Sequence, residues 1–459
     1  MATKNHSNHL TKNHSNHLTD DGLYLTEPRA FCIKNLGNTC YINSTLQLLN
    51  SCDMLQYLML SKKFLQNVEQ NRLNKIVNQM LEKSEGMEIT ELKKSDINNE
   101  IDKTLSVMYY NFTKKLISKP GISLCIPSKF LDRLQKLIEL VRGYNQNDVS
   151  EFLTFFLSQL DSEMKITSAI THNMLIKKEH IEKYHKYRLL LGDVKKYSYE
   201  KNPEEYVRCT RMIVDFKKKY PPSLIYIFDF SYYWENFCAG MSNKEPNYSP
   251  ITEIFSYNTY IENTCSICNN YSVTFDIHNV MDIPIPQQSS PVDIQDLIKN
   301  EYFDKIEELC EKNDSQYTCN ICRIKTDAIR KIRIWDLPER LIIQLKLFDH
   351  YYDKESKQSV SKKIYTPVNY PMILDLTKYV SDMNPIKNDY RYRLCSYIKH
   401  YGACNGGHYV AVAKNWDNEY YFYNDSEPPV HIEKNSVIDD TPYILLYERI
   451  ATSSNHEAN

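Results

Sequence analysis

The sequence predicts an α+β fold, with helices concentrated before about residue 165 and strands dominating the C-terminal half. Three observations predict it. Val149, Phe152, Leu153, Phe156, Leu157 and Leu160 recur at i, i+3, i+4, i+7, i+8 and i+11, one apolar stripe of an amphipathic helix. "YVAVAK" and "EYYFYND" are short runs of aromatic, β-branched and small residues separated by the turn signal "NWDN", which predicts a pair of strands. Two Cys-x-x-Cys knuckles, "CSIC" and "CNIC", bracket segments of alternating polar and apolar residues.

The composition narrows the class. A chain of 459 residues with 42% hydrophobic residues can bury a large core as several domains or one multi-part domain. The formal net charge of −2 supplies no basic field for nucleic acid or an anionic membrane, so neither is an expected partner. No apolar run is long enough to span a bilayer, and the N-terminus lacks a signal-peptide core. The 13 cysteines then read as reduced thiols, metal ligands or a nucleophile in an intracellular reducing compartment, cytoplasmic or nuclear.

In "NLGNTCYINSTLQLL", Gly37 permits a turn, Asn38 and Thr39 are candidate helix N-caps, and Leu46 and Leu49 share a helical face. Cys40 then stands in a first helical turn, where amides and the positive dipole end favour a thiolate. The same pattern also fits an inert buried cysteine. Three of the 10 glycines, Gly402, Gly406 and Gly407, cluster in "YGACNGGHY" just before His408. The two strands that follow form a hairpin with His408 near its start and Asn424 and Asp425 near its finish. A lone strand histidine is usually structural. A histidine with an orienting carboxamide or carboxylate, in a chain that also has a helix-start cysteine, matches a nucleophilic triad.

Cys265, Cys268, Cys319 and Cys322 supply the four thiolates of a tetrahedral structural zinc site. The gap from Cys268 to Cys319 is longer than in a compact zinc ribbon, and two unrelated reduced knuckles or a redox pair are the alternative. With four thiolates no coordination position stays open, so no catalytic cofactor is expected.

Several of these stretches, in order, resemble one family. "NLGNTCYINSTLQLL" is similar to the cysteine box of the ubiquitin-specific proteases, papain-like deubiquitinases. "HYGACNGGHYVAVAKN" with "YYFYNDSEPPV" and "PYILLYER" resembles their histidine box, and "YNQNDVSEFLTFFL" their glutamine–aspartate box. "DLPERLIIQLKLF" resembles a strand of the same proteins. The likeness runs from about Phe31 to Arg449.

The resemblance implies a papain-like ubiquitin-specific protease fold with a helical thumb, a β palm and zinc-ribbon-like β fingers. It makes Cys40 the nucleophile, His408 the general base and Asn424 the third member. Asp425 is the adjacent acid, and Asn35 an oxyanion donor, although Asn35 also suits a turn. Gln146, Asp148, Glu151, Gly407 and Tyr409 become substrate-binding residues. Asp148 and Glu151 equally have the spacing of a capping box. Ubiquitin and its conjugates are the implied partners, acted on by a monomeric thiol isopeptidase. A weakly catalytic ubiquitin-binding scaffold and a protease for another ubiquitin-like modifier are the alternatives.

The expected organisation follows. Residues 1–28 are a polar tail in which "TKNHSNHL" is duplicated at Thr3–Leu10 and Thr11–Leu18, too polar to fold alone. Residues 29–449 are the catalytic domain: thumb to about 165, a charged insertion from 165 to 220, mainly fingers from 221 to 345, and mainly palm from 346 to 449. Residues 450–459 are a flexible terminus. "FLQNVEQNRLNKIVNQMLEKS" is expected to be helical. Cys32, Ser150 and Leu347 depart from the family's glycine, histidine and arginine, with consequences for specificity more than for chemistry.

Overall fold

A buried helix, α1 (Cys40–Asn50), organises the molecule: every residue from Cys40 to Leu49 is buried. The structure, a computed structural model, describes residues 30–451 apart from 62–65, 67, 72, 74–103, 118–123, 166–175, 241–246, 354–357, 404–405 and 440. The duplicated tail, most of the 64–84 segment and most of the C-terminal segment lie outside the described residues.

Thr39 precedes α1 but does not cap it with its side chain. Its Oγ1 instead accepts the Leu36 N–H (3.1 Å) and donates to Asn35 Oδ1 (3.2 Å). Asn38 takes a left-handed conformation, φ 51°. The cap expected of these residues is therefore replaced by a side-chain-braced turn. Its acceptor is Asn35 Oδ1, which also receives the N–H groups of Gly37 (3.0 Å) and Thr39 (3.2 Å).

The thumb continues through α2 (Asp53–Leu60), α3 (Leu105–Ile117), α4 (Ser128–Leu137) and α5 (Val149–Glu163). The six stripe residues of α5 are all fully buried, and Phe152 meets Tyr41 of α1 edge-on at 5.4 Å. Asp148 caps α5 by accepting the N–H groups of Ser150 (2.8 Å) and Glu151 (3.3 Å). The cap runs one way, with the Glu151 side chain exposed at the cleft.

Three further helices, α6 (Ile181–Lys196), α7 (Pro203–Lys218) and α8 (Pro222–Ala239), follow the thumb. The last of them, α8, is apolar on two sides. Ile225 and Phe228 pack with Tyr187 and Phe216 of α6 and α7. Tyr226 and Phe230 pack on Tyr260, Phe275 and Trp335 of the fingers. A helix hydrophobic around its circumference is a buried one, and its tyrosine-rich composition hid this in the sequence.

The fingers are an antiparallel sheet of β3 (Tyr257–Cys265), β4 (Tyr271–His278), β6 (Ile306–Leu309) and β7 (Ala328–Asp336), in the order β4–β3–β7–β6. The segment "NNYSVTFDIHNVMDIPIP" divides: β4 stays in the fingers, while β5 (Met281–Pro284) crosses into the palm. The short β1 (Cys32–Ile33) and β2 (Leu124–Cys125) pair in parallel beside α1.

The palm sheet contains β5, β8 (Arg340–Lys346), β11 (Ile373–Asp375), β12 (Arg391–Ala403), β13 (Gly406–Lys414), β14 (Tyr420–Tyr423), β15 (Val430–Ile432) and β16 (Ile444–Arg449). Its order is β15–β14–β13–β12–β16–β8–β5, with β11 on β12. The hairpin β9 (Phe348–Asp353) and β10 (Gln358–Lys363) projects from it. Helix α1 packs on β13, which brings Cys40 against the strand that carries His408. The Ile33 N–H donates to the Asp425 carbonyl at 2.9 Å.

Candidate active site

The β12–β13 register pairs Tyr401 with His408 and Gly402 with Gly407, and β13 pairs Ala411 with Tyr423 at the end of β14. His408 therefore stands at the strand end beyond which the chain turns through Asn424 and Asp425. Neighbours on a strand point to opposite faces, but these two lie past the last residue of β14, and Asp425 takes a left-handed φ of 45°. Both side chains consequently reach the same imidazole. His408 Nε2 is 2.6 Å from Asn424 Oδ1 and 4.0 Å from Asp425 Oδ2.

A carboxamide oxygen only accepts, so the bond to Asn424 places the imidazole proton on Nε2 and leaves Nδ1 unprotonated. Asp425 is spent elsewhere. Its Oδ1 accepts Asn43 Nδ2 and its Oδ2 accepts Asn35 Nδ2, each at 2.7 Å. The carboxylate thus clamps α1 to the preceding turn. Asn43 had no visible signal in the sequence beyond its place three residues after Cys40, where a helix turns it back to the same side. Asn35 serves the turn through its oxygen and Asp425 through one N–H. Its second N–H is the one available to an oxyanion.

Cys40 is buried, and the backbone amide of Tyr409, the residue after His408, hydrogen-bonds its sulfur. Burial raises the thiol's pKa from its ordinary value. The Tyr409, Tyr41 and Cys40 amides oppose that rise without overcoming it, and the Asp425 charge adds to it. The thiolate expected from the helix dipole is therefore not the resting form, and a base is required to make it.

Cys40 opens onto a cleft of about 790 Å³ between thumb and palm. Gln146, Asp148, Glu151, Gly407 and Tyr409 all line it. Gln146 crosses it: its Nε2 donates to the Gly407 carbonyl at 3.3 Å, and its Oε1 accepts the Gly407 N–H at 3.2 Å. Asp148 Oδ2 accepts the hydroxyls of Tyr443 (2.7 Å) and Tyr409 (3.4 Å). Tyr443 was not singled out in the sequence, being one of 36 tyrosines. Ser150 donates to Gln344 of β8 at 2.5 Å, and Leu347 is buried.

Gly407 admits no side chain: an added Cβ would lie 2.2 Å from His400 Nε2 and 2.3 Å from the Tyr401 carbonyl oxygen. Gly407→Ala is accordingly expected to displace His400 or the strand beside His408 and to lower kcat/KM at least a hundredfold, since a misplacement of about 1 Å costs that much. Steady-state kinetics on a fluorogenic substrate tests this.

At the finger tip, the sulfurs of Cys265, Cys268, Cys319 and Cys322 lie within 4.8 Å of one another. Cys265–Cys322 is 3.9 Å and Cys268–Cys319 3.7 Å. Four thiolates about 2.3 Å from a zinc ion are separated by roughly 3.8 Å, so the spacing fits that metal. The amides of Ile267, Ile321 and Cys322 donate to these sulfurs, each at 3.4 Å, as suits thiolate ligands. This group can bind a metal. Beside it, Arg323 stacks between Tyr199 (4.7 Å) of the α6–α7 loop and Tyr206 (3.9 Å) of α7.

A buried helix-start thiol bonded by the amide of the residue after an amide-oriented imidazole is the equipment of a cysteine-type hydrolase. Residues 31–447 match the family described as ubiquitin carboxyl-terminal hydrolase, and the chain belongs to that family. A probable ubiquitin carboxyl-terminal hydrolase of Acanthamoeba polyphaga mimivirus is 26% identical over 449 residues, covering 91% of this chain and 89% of its own. Ubiquitin carboxyl-terminal hydrolase 4 of Candida glabrata is 25% identical over 438 residues, and this chain spans 41% of its length. Among solved structures, the SAGA DUB module bound to monoubiquitin shares the fold, with a TM-score of 0.55, 18% identity, and coverage of 93% of this chain and 71% of that one. A structure of the yeast SAGA DUB module is similar, with a TM-score of 0.54. Among the described residues no helix is long and apolar enough to cross a membrane.

Proposed function

We propose that the chain hydrolyses the peptide or isopeptide bond after the C-terminal glycine of ubiquitin, with Cys40 as nucleophile. The single observation that carries the assignment is the His408–Asn424 bond at 2.6 Å, one residue from the Tyr409 amide that bonds the Cys40 sulfur. Family membership supplies the substrate class. His408 Nδ1 takes the thiol proton as sulfur attacks the carbonyl, and the imidazolium then protonates the departing amine. Asn424 holds the ring orientation throughout. The Cys40 backbone amide and the second N–H of Asn35 receive the oxyanion, and each such donor is worth roughly two to three powers of ten in rate. Water activated by the neutral imidazole releases the acyl-enzyme. Gln146, Asp148, Glu151, Gly407 and Tyr409 form the walls that the tail passes.

Labelling with a ubiquitin probe carrying a C-terminal electrophile, beside probes built on other modifiers, tests the reading. Adduct formation with ubiquitin alone supports it, and labelling only by another modifier overturns the substrate assignment.

Zinc is the metal proposed for Cys265, Cys268, Cys319 and Cys322, in a purely structural role. It would tie β3 to the segment preceding β7. About one zinc per chain is expected by metal analysis. Changing Cys319 and Cys322 together to Ser should remove it and lower Tm by roughly 5 °C or more, because metal binding here is also folding energy. Reactivity of Cys40 towards a small thiol reagent should survive that change.

A further inference from the structure

The two cysteine knuckles at the finger tip are alike except in one side chain. In each, the residue directly after the second cysteine takes a left-handed backbone: Asn269 (φ 54°) after Cys268, and Arg323 (φ 65°) after Cys322. Their backbone bonds match. The Asn269 N–H donates to the Cys265 carbonyl at 3.0 Å, and the Arg323 N–H to the Cys319 carbonyl at 2.9 Å. Asparagine visits this conformation readily and arginine does not. The turn that asparagine closes in one knuckle carries arginine in the other, so the use of Arg323 lies in its side chain.

That side chain leaves the fingers and enters the α6–α7 pair. Its guanidinium lies over the rings of Tyr206 and Tyr199, which meet edge-on at 76°. One Nη donates to Thr210 Oγ1 at 3.4 Å, and Nε is buried without a partner among the described residues. The aromatic faces therefore hold the charge. At the root of the finger sheet the contact is of another kind, with Tyr226 and Phe230 of α8 packed on Phe275 and Trp335. Towards the tip, helices and sheet part around a cavity of about 650 Å³ whose lining includes Tyr206, Thr210, Cys268, Tyr271 and Cys319. Lys217 of α7 lies over Tyr271 there at 5.3 Å, while its charge is paired with Asp229. Arg323 thus bridges where continuous packing has stopped.

We propose that Arg323 is a positioning residue: it latches the four-cysteine finger tip to α6–α7 and so fixes the fingers as a seat for the folded body of ubiquitin. This rests on the ubiquitin reading above. A cleft of about 790 Å³ takes an extended tail and not a folded domain, so the body must rest on elements that project beside it. Fingers that swing freely would have to be ordered at each binding event, and a latch made in the free enzyme removes that cost.

The test compares wild type, Arg323→Asn, Arg323→Lys, Tyr206→Ala and the double variant Arg323→Asn/Tyr206→Ala. Asparagine reproduces Asn269, so the knuckle turn should survive the change. Amide hydrogen exchange over residues 199–210 and 319–324, read by mass spectrometry, should quicken roughly threefold to tenfold in Arg323→Asn, the worth of a partly exposed cation–π contact. KM on ubiquitin carrying a fluorogenic C-terminal amide should rise by a similar factor, with kcat within about twofold. Arg323→Lys keeps the charge without the planar stack and should fall between wild type and Arg323→Asn. Tyr206→Ala should match Arg323→Asn, and the double variant should be little worse than either, because each change deletes the same contact. Unchanged exchange in a folded Arg323→Asn protein overturns the latch. Faster exchange with an unchanged KM, or losses that simply add in the double variant, overturns the positioning role and leaves the deubiquitinase reading intact. A wild type that does not cleave the ubiquitin amide overturns that reading, and the exchange measurements still decide the latch.

Discussion

Cys40→Ala is expected to abolish hydrolysis and covalent probe labelling entirely while leaving ubiquitin binding within a few-fold of wild type. The substitution removes one sulfur at the start of α1 and leaves Asn35, His408, Asn424 and the Asp425 clamp in place. Binding by titration calorimetry and labelling by mass spectrometry separate the two effects. A residual adduct in the alanine variant would make another cysteine the nucleophile. The wild-type thiol carries a further expectation. Because burial raises its pKa above the ordinary 9.0, its alkylation by a small neutral reagent should still be climbing as pH passes 9. A rate already level by pH 7 would mean a preformed thiolate.

The second large effect divides two neighbours. Asn424→Ala removes the acceptor that orients His408, and kcat should fall roughly a hundredfold or more with KM little changed and Tm nearly constant. Asp425→Ala removes no direct hydrogen bond to the imidazole but strands the amide donors of Asn43 and Asn35. Unpaired buried donors cost about 1–3 kcal/mol each. Asp425→Ala should therefore lower Tm by several degrees as well as turnover, because α1 and its preceding turn lose their common anchor. Thermal unfolding beside kinetics distinguishes them. A stable Asp425→Ala enzyme with a far larger loss in kcat than Asn424→Ala would make Asp425 the orienting residue.

What was legible in the sequence was local. The α5 stripe needs only helical periodicity, and the four-cysteine group needs only its spacing. The β13–β14 pair declares itself through a short turn between two aromatic, β-branched runs. What was not legible depends on side-chain partners, near or hundreds of residues away. Thr39 looks like a cap until Asn35 claims it. Asp425 reads as an assistant to His408 until Asn35 and Asn43 are seen to hold both its oxygens. Helix α8 was not legible because it buries tyrosines and phenylalanines on two fronts, so no single apolar stripe marked it.

The clamp joining Asn35, Asn43 and Asp425 closes over separations of 390 and 382 residues. During synthesis the Cys40 segment leaves the ribosome well before His408 and Asp425. Until they follow, that segment has neither the imidazole nor the β13 surface on which α1 packs. A chain stalled between them is therefore a thiol without its partners. Such long-range closure also makes assembly of the centre a slow event. Activity thus reports that the chain has been made at least as far as Asp425.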